Sequence, residues 1–209
     1  LWDKFKPLSA LPQHLNPASG YLFNTNHSPF MATAVNENLN PANFDKYDGY
    51  ETYHNNRSQR AKELIDSYDK IGWEDLKRIK FDRQLPAKIL YPYGLDASVL
   101  FTLDAAKYPA LATIIRGIQQ WDHVTNIESV GALYYNIAYY QASKIRNSAS
   151  KDPLTESEAV ELVQYVHDFL IKHYGRLDVT LGEFQRLKRG DQDWPQAGMP
   201  DVLAAVMSE

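Results

Sequence analysis

Residues 16–30 read NPASGYLFNTNHSPF, in which Asn24, Thr25, Asn26, His27 and Ser28 follow the apolar run Gly20-Tyr21-Leu22-Phe23. Small amides and hydroxyls beside an imidazole are poor core material. They suit a place where N–H groups must face a ligand. An asparagine amide at the end of an extended segment can donate to the oxyanion that develops during acyl transfer. The same residues are also common turn formers, because Asn and Ser side chains bond to nearby backbone. On these residues alone both readings of Asn26 stand.

Other chemistries find less support. The histidines are His14, His27, His54, His123, His167 and His173, and none forms an HExxH or i, i+4 pair, so zinc is not indicated. Asp45 and Asp48 could lend oxygens to calcium, although acids in a loop also serve solubility. There is no phosphate-cradling glycine loop and no GxSxG elbow. The paired carboxylates Glu156/Glu158 and Asp191/Asp193 fall where capping and turns account for them. The chain has no cysteine, which excludes disulfides, thiolate metal sites and a thiol nucleophile, and fits a cytosolic or a periplasmic address. A net charge of -4 argues against nucleic acid as a partner. The basic clusters Lys77-Arg78-Lys80 and Arg186-Lys188-Arg189 adjoin acids and read as solvated faces. No apolar run reaches membrane-spanning length, so no membrane partner is expected.

The elements that must position these residues divide the 209-residue chain into three stretches. Residues 1–50 read as a Pro-punctuated lead-in, a short GYLFN strand and a long loop that contributes to a site. Residues 51–180 read as helical. Asn55 or Asn56 caps a helix with Ala61, Leu64, Ile65 and Tyr68 on one face. A second helix runs from about Trp73 to Phe81, with Leu76, Ile79 and Lys80 on a half-buried face. Pro86 and a Tyr91-Pro92-Tyr93-Gly94 turn follow it. Pro109 opens a third helix through Leu111, Ile114, Ile115 and Ile118 to Trp121. Val130, Leu133, Ile137 and Tyr140 mark a fourth, widened by Tyr134, Tyr135 and Tyr139, a tyrosine stripe that reads as packing. Thr155 and Glu158 form a capping box ahead of Ala159, Leu162, Val163, Val166, Phe169 and Leu170, and Gly175 is the stop. Residues 181–209 read as an irregular tail. The fold class expected is mainly α with a short extended or β N-terminal part.

Several of these residues occur in an order that resembles the β-chain of penicillin acylases and acyl-homoserine-lactone acylases, which are N-terminal-nucleophile hydrolases. The opening landmarks are Asn16-Pro17, Gly20-Tyr21, Asn24-Thr25-Asn26 and Pro29, followed by Arg57. Next come Ile71-Gly72-Trp73-Glu74-Asp75, Asp82, Trp121-Asp122 and the Ser129-Val130-Gly131-Ala132-Leu133-Tyr134 helix. The succession ends with Tyr174-Gly175-Arg176-Leu177-Asp178-Val179, Gly182-Glu183-Phe184-Gln185-Arg186-Leu187 and Arg189-Gly190-Asp191. The resemblance spans essentially the whole chain.

It implies a fragment of an αββα fold and an amide hydrolase acting on β-lactams, acyl-homoserine lactones or related acyl amines. It also implies an α-chain and the remainder of the β-chain as partners, and a periplasmic or secreted bacterial location. Asn26 matches the family's oxyanion-hole asparagine, and Arg57 matches an arginine that orients groups around the nucleophile. No cofactor is expected in the chain itself, with calcium possible in the full-length protein. The family's nucleophile is a serine at the β-chain N-terminus, whose own α-amino group acts as base. Residue 1 here is Leu. The chain is therefore expected to be an internal part of the β-chain, inactive alone. The contrasting expectation is a helical binding module in which NTNHS is only a turn.

Overall fold

A computed structural model of the chain describes residues 5–91, 95–145, 152–204 and 207–208. The expected turn at Tyr91-Pro92-Tyr93-Gly94 lies mostly outside the described residues. Among the described residues six α-helices follow one another: α1 (Asn56–Asp66), α2 (Trp73–Lys80), α3 (Ala112–Gln119), α4 (Val130–Ile145), α5 (Glu156–Tyr174) and α6 (Leu181–Phe184). Three described strands come after them: β1 (Arg186–Arg189), β2 (Gln192–Ala197) and β3 (Met207–Ser208), in sheet order β1-β2-β3. The chain is mainly helical, as its patterning indicates.

Before α1 the described residues form no α-helix and no strand, only five short 3₁₀ turns. The turns at Pro29–Met31, Pro41–Asn43 and Lys46–Asp48 begin where Ser28, Asn40 and Asp45 accept a backbone N–H two residues on. The strand expected at GYLFN is not formed. Phe23 N–H bonds Ala32 O at 3.0 Å and the Thr33 hydroxyl bonds Tyr21 O at 2.9 Å, but no β-ladder runs beside them. An extended segment without a neighbouring strand cannot satisfy alternate backbone groups by pairing, so side chains and single turns do it instead.

The core is built by α3, α4 and α5. Ile114, Ile115 and Ile118 of α3 meet Leu133, Tyr134 and Ala138 of α4 and Leu162, Val163, Val166 and Leu170 of α5, all buried. The capping box at α5 is formed as the sequence indicates: Thr155 Oγ1 accepts Glu158 N–H, and the Glu158 side chain accepts Thr155 N–H. Gly175 closes the helix at φ 68°. The stripe of α2 is narrower than expected. Ile79 is buried, but Trp73 and Leu76 remain exposed.

Tyr134 and Tyr135 are buried, and Tyr134 donates to Leu177 O at 2.9 Å. Burial pushes the Tyr91 phenol up to about 12 and Tyr135 well above its ordinary value, so both stay neutral packing groups. Tyr140 departs from the stripe and lies on an exposed face with Tyr165 and Phe184.

Close approach of α3 and α4 depends on two glycines. A Cβ at Gly131 would lie 2.6 Å from Gly117 O and 2.7 Å from Trp121 Cβ. A Cβ at Gly117 would lie 2.6 Å from the Tyr134 ring. Gly131→Ala must therefore part the two helices. A loss of about 1–3 kcal/mol, the usual cost of overpacking, should appear as a lower urea midpoint. An unchanged midpoint would show that the contact yields freely.

The stretch expected to be an irregular tail instead carries α6 and the hairpin β1-β2. Its register pairs Leu187 with Trp194 and Arg189 with Gln192, leaving a two-residue loop that starts at Gly190 with φ 57°. Glycine tolerates that conformation without steric cost. Arg186 Nε donates to Asp193 Oδ1 across the strands at 2.8 Å. Beyond β2, Gly198 N–H bonds Thr125 O at 2.7 Å and Ala204 N–H bonds Asp82 O at 3.0 Å. These bonds carry residues 198–204 back toward α1.

Candidate functional site

The first four positions around the start of α1 form a node. Asn55 caps the helix: its side-chain oxygen accepts Ser58 N–H at 2.8 Å, and Ser58 Oγ accepts Asn55 N–H at 3.1 Å. The Asn55 Nδ2 amide reaches outward to Asn26 O at 2.9 Å. Buried Asn56 clamps the Leu90 backbone, donating to Leu90 O at 3.0 Å and accepting Leu90 N–H at 2.6 Å. A turn further on, Arg60 holds Asp82 through two bonds of 3.0 Å. These contacts fix the helix that carries Arg57.

A cation in the first turn of a helix opposes the helix dipole. The first turn of α1 has no acidic residue of its own. Asp201, 144 residues further along than Arg57, supplies the anion. Its Oδ2 accepts Asn56 N–H at 2.9 Å and its Oδ1 accepts Arg57 Nε–H at 3.2 Å. Asp201 adopts φ 68°, a conformation that Asp enters more readily than most residues. Both side chains of the pair keep about a third of their surface exposed, so the bond adds on the order of 1 kcal/mol or less to stability. With Nε engaged by Asp201, Nη1 of Arg57 lies on the side of Asn26.

The turn holding Asn26 is made by its neighbours. Asn24 Oδ1 accepts Asn26 N–H at 2.8 Å. Buried Ser28 donates its hydroxyl to Glu51 O and accepts Phe30 N–H. Asn26 itself sits at φ 56°, exposed, with its side chain outside these turn bonds. Its Oδ1 lies 3.5 Å from Arg57 Nη1, at the outer limit of a hydrogen bond. The Nδ2 amide, on the other side of Cγ, takes no hydrogen-bond partner among the described residues. The fold thus brings together both residues singled out in the sequence. The side-chain bonds of this turn come from Asn24 and Ser28, and Asn26 enters it through its main chain.

Asn55 and Asn56 stand out in the sequence only as a possible cap, and Asp201 does not stand out at all. Asp201 had no signal, since its partners lie at the far end of the chain. His27 and His54 border the node, with ring centroids 6.3 Å apart.

Asp45 and Asp48 do not fit a calcium site as they stand. Lys6 Nζ contacts both, and Asp45 Oδ1 accepts Tyr47 N–H at 3.0 Å. Among the described residues no three His, Asp or Glu side chains gather to hold a metal. Nor is any described helix long and apolar enough to cross a membrane.

A model of the penicillin amidase family matches residues 1–200, and the chain belongs to that family. Family membership indicates an amidohydrolase. No curated protein gives a significant match to the chain.

Proposed function

We propose that this chain supplies the oxyanion-stabilising side of an acyl-transfer site that cleaves N-acyl amides: β-lactams, acyl-homoserine lactones or related acyl amines. A serine from outside residues 1–209 attacks the acyl carbon, and the Asn26 Nδ2 amide donates to the carbonyl oxygen as it gains charge. Breakdown of the tetrahedral species expels the amine and leaves an acyl-enzyme, which water then opens. Arg57 does not touch the acyl group in this reading. It turns the Asn26 oxygen inward so that the N–H pair faces the substrate, and Asp201 sets Arg57. The chain acts together with the rest of an αββα hydrolase precursor, in a periplasmic or secreted location.

The observation that supports the reading most directly is the state of Asn26. Its backbone is bonded on both sides and its side-chain oxygen faces Arg57, while its amide has no partner among the described residues. Donors fixed in place before reaction stabilise a transition state without reorganisation. The test is amine release from phenylacetyl, aliphatic-acyl and homoserine-lactone amides by the intact protein, followed by chromatography. Release of amine with a burst of acyl-enzyme is expected. Folded protein that releases amine from none of them would refute the proposal.

A further inference from the structure

Asn26 is the apex of a loop whose two arms are joined through one imidazole. His27 Nδ1 accepts Thr25 N–H at 3.1 Å, on the residue before Asn26. His27 Nε2 lies 2.9 Å from Met31 O, on the arm that follows. A ring nitrogen that accepts a backbone N–H carries no proton, so the proton sits on Nε2 and is donated to Met31 O. The ring stacks on Phe23 with centroids 4.7 Å apart and an interplanar angle of 27°. The His54 ring lies near-parallel to it with centroids 6.3 Å apart, and His54 Nδ1 is 2.9 Å from Oγ of Ser58, which belongs to the cap of α1.

We propose that His27 is a positioning residue: in its neutral, Nε2-protonated form it staples Thr25 to Met31 and so holds the turn that presents Asn26. A second proton on Nδ1 would face Thr25 N–H with another N–H; only Thr25 Oγ1, also 3.1 Å away, would remain to accept it, and the main-chain half of the staple would open. The catalytic consequence rests on the reading of Asn26 as the oxyanion donor; the staple itself does not.

The surroundings work in the same direction. Burial pushes the His27 imidazole below its ordinary value, and the Arg57 charge adds to this, against the Met31 carbonyl and Glu51, which favour the proton. His54 is also lowered, by burial first and then by His27 and Lys62. With the folded value below the free value of about 6.5, the unfolded chain binds the proton first. Stability due to His27 is therefore full above about pH 6.5 and declines as pH falls toward the folded value.

Three measurements on the intact protein test the staple. Imidazole ¹⁵N shifts should report an Nε2–H tautomer for His27 at pH 7. Amide exchange at Thr25 should quicken by about tenfold or more in His27→Phe, which keeps the stacking but has no acceptor. The acyl-amide kcat of that variant should fall by about tenfold to a hundredfold, the range associated with a misplaced catalytic group. His27→Asn, which keeps an acceptor near Nδ1 and cannot titrate, should retain more turnover than His27→Phe and lose the acid limb of the pH profile. An Nδ1–H or doubly protonated ring at pH 7 would overturn the proposal, as would unchanged Thr25 exchange in His27→Phe. If the wild-type protein releases no amine, the acylase reading fails, while the tautomer and the exchange rates still decide the role of His27.

Discussion

Asn26→Ala should lower the turnover of an acyl amide by about 10²–10³-fold, the usual cost of one oxyanion donor. The loss falls on kcat rather than KM, because the amide interacts more strongly with the charged oxygen than with the ground-state carbonyl. The bonds that hold the turn at residue 26 are made by its main chain, to Asn24 Oδ1 and from Asn55 Nδ2, and alanine keeps both. Alanine does pay for φ 56°, on the order of 1–2 kcal/mol. Asn26→Gly relieves that strain and removes the same donor. The two variants should therefore differ in urea midpoint and agree in lost turnover. An Asn26→Gly enzyme within about threefold of wild type would exclude the oxyanion role, since the observed range for a lost donor lies far above that.

What the sequence made legible, and what it did not, follows from the range of each signal. The helices α3, α4 and α5 are long or strongly periodic, and their buried positions repeat every three to four residues, so α5 could be read from Thr155 to Gly175. Strand β1 is exposed at all four residues, which leaves no alternation to find. Pro195 in β2 further disguises the hairpin, which depends on the Gly190 turn and on Arg186 meeting Asp193. GYLF has the composition of a strand, but the described residues offer it no sheet, and composition alone cannot supply one.

The same contrast runs through the site. Asn26 and Arg57 were legible because their types and order resemble a known succession, and the fold places them 3.5 Å apart. Asp201 was not, because its role depends on the return of residues 198–204 along Thr125 and Asp82. The staple at His27 left no trace either. Its partners are a backbone N–H and a backbone carbonyl, which every residue other than proline carries.

Whether Arg57 acts on the substrate or through Asn26 can be settled by a double-mutant cycle. Arg57→Ala frees the Asn26 side chain to rotate about its terminal amide, and displacement of a catalytic group by about 1 Å can cost 10²-fold. A loss of that order is expected in the single variant. In the Asn26→Ala background there is no amide left to orient, so adding Arg57→Ala should cost little more. Asp201→Ala should give a smaller loss, about tenfold, because Arg57 keeps its place on α1 but loses the partner that fixes Nε. That loss too should vanish in the Asn26→Ala background. Stability should fall by about 1–3 kcal/mol in the Asp201 variant, because alanine is strained at φ 68° and Asn56 N–H loses its acceptor, while the exposed pair itself adds little. If the Arg57 and Asn26 losses instead multiply, the guanidinium stabilises the reacting atoms directly and the orienting role is wrong. The cycle separates the two because an orienting group has an effect only while the group it orients is present.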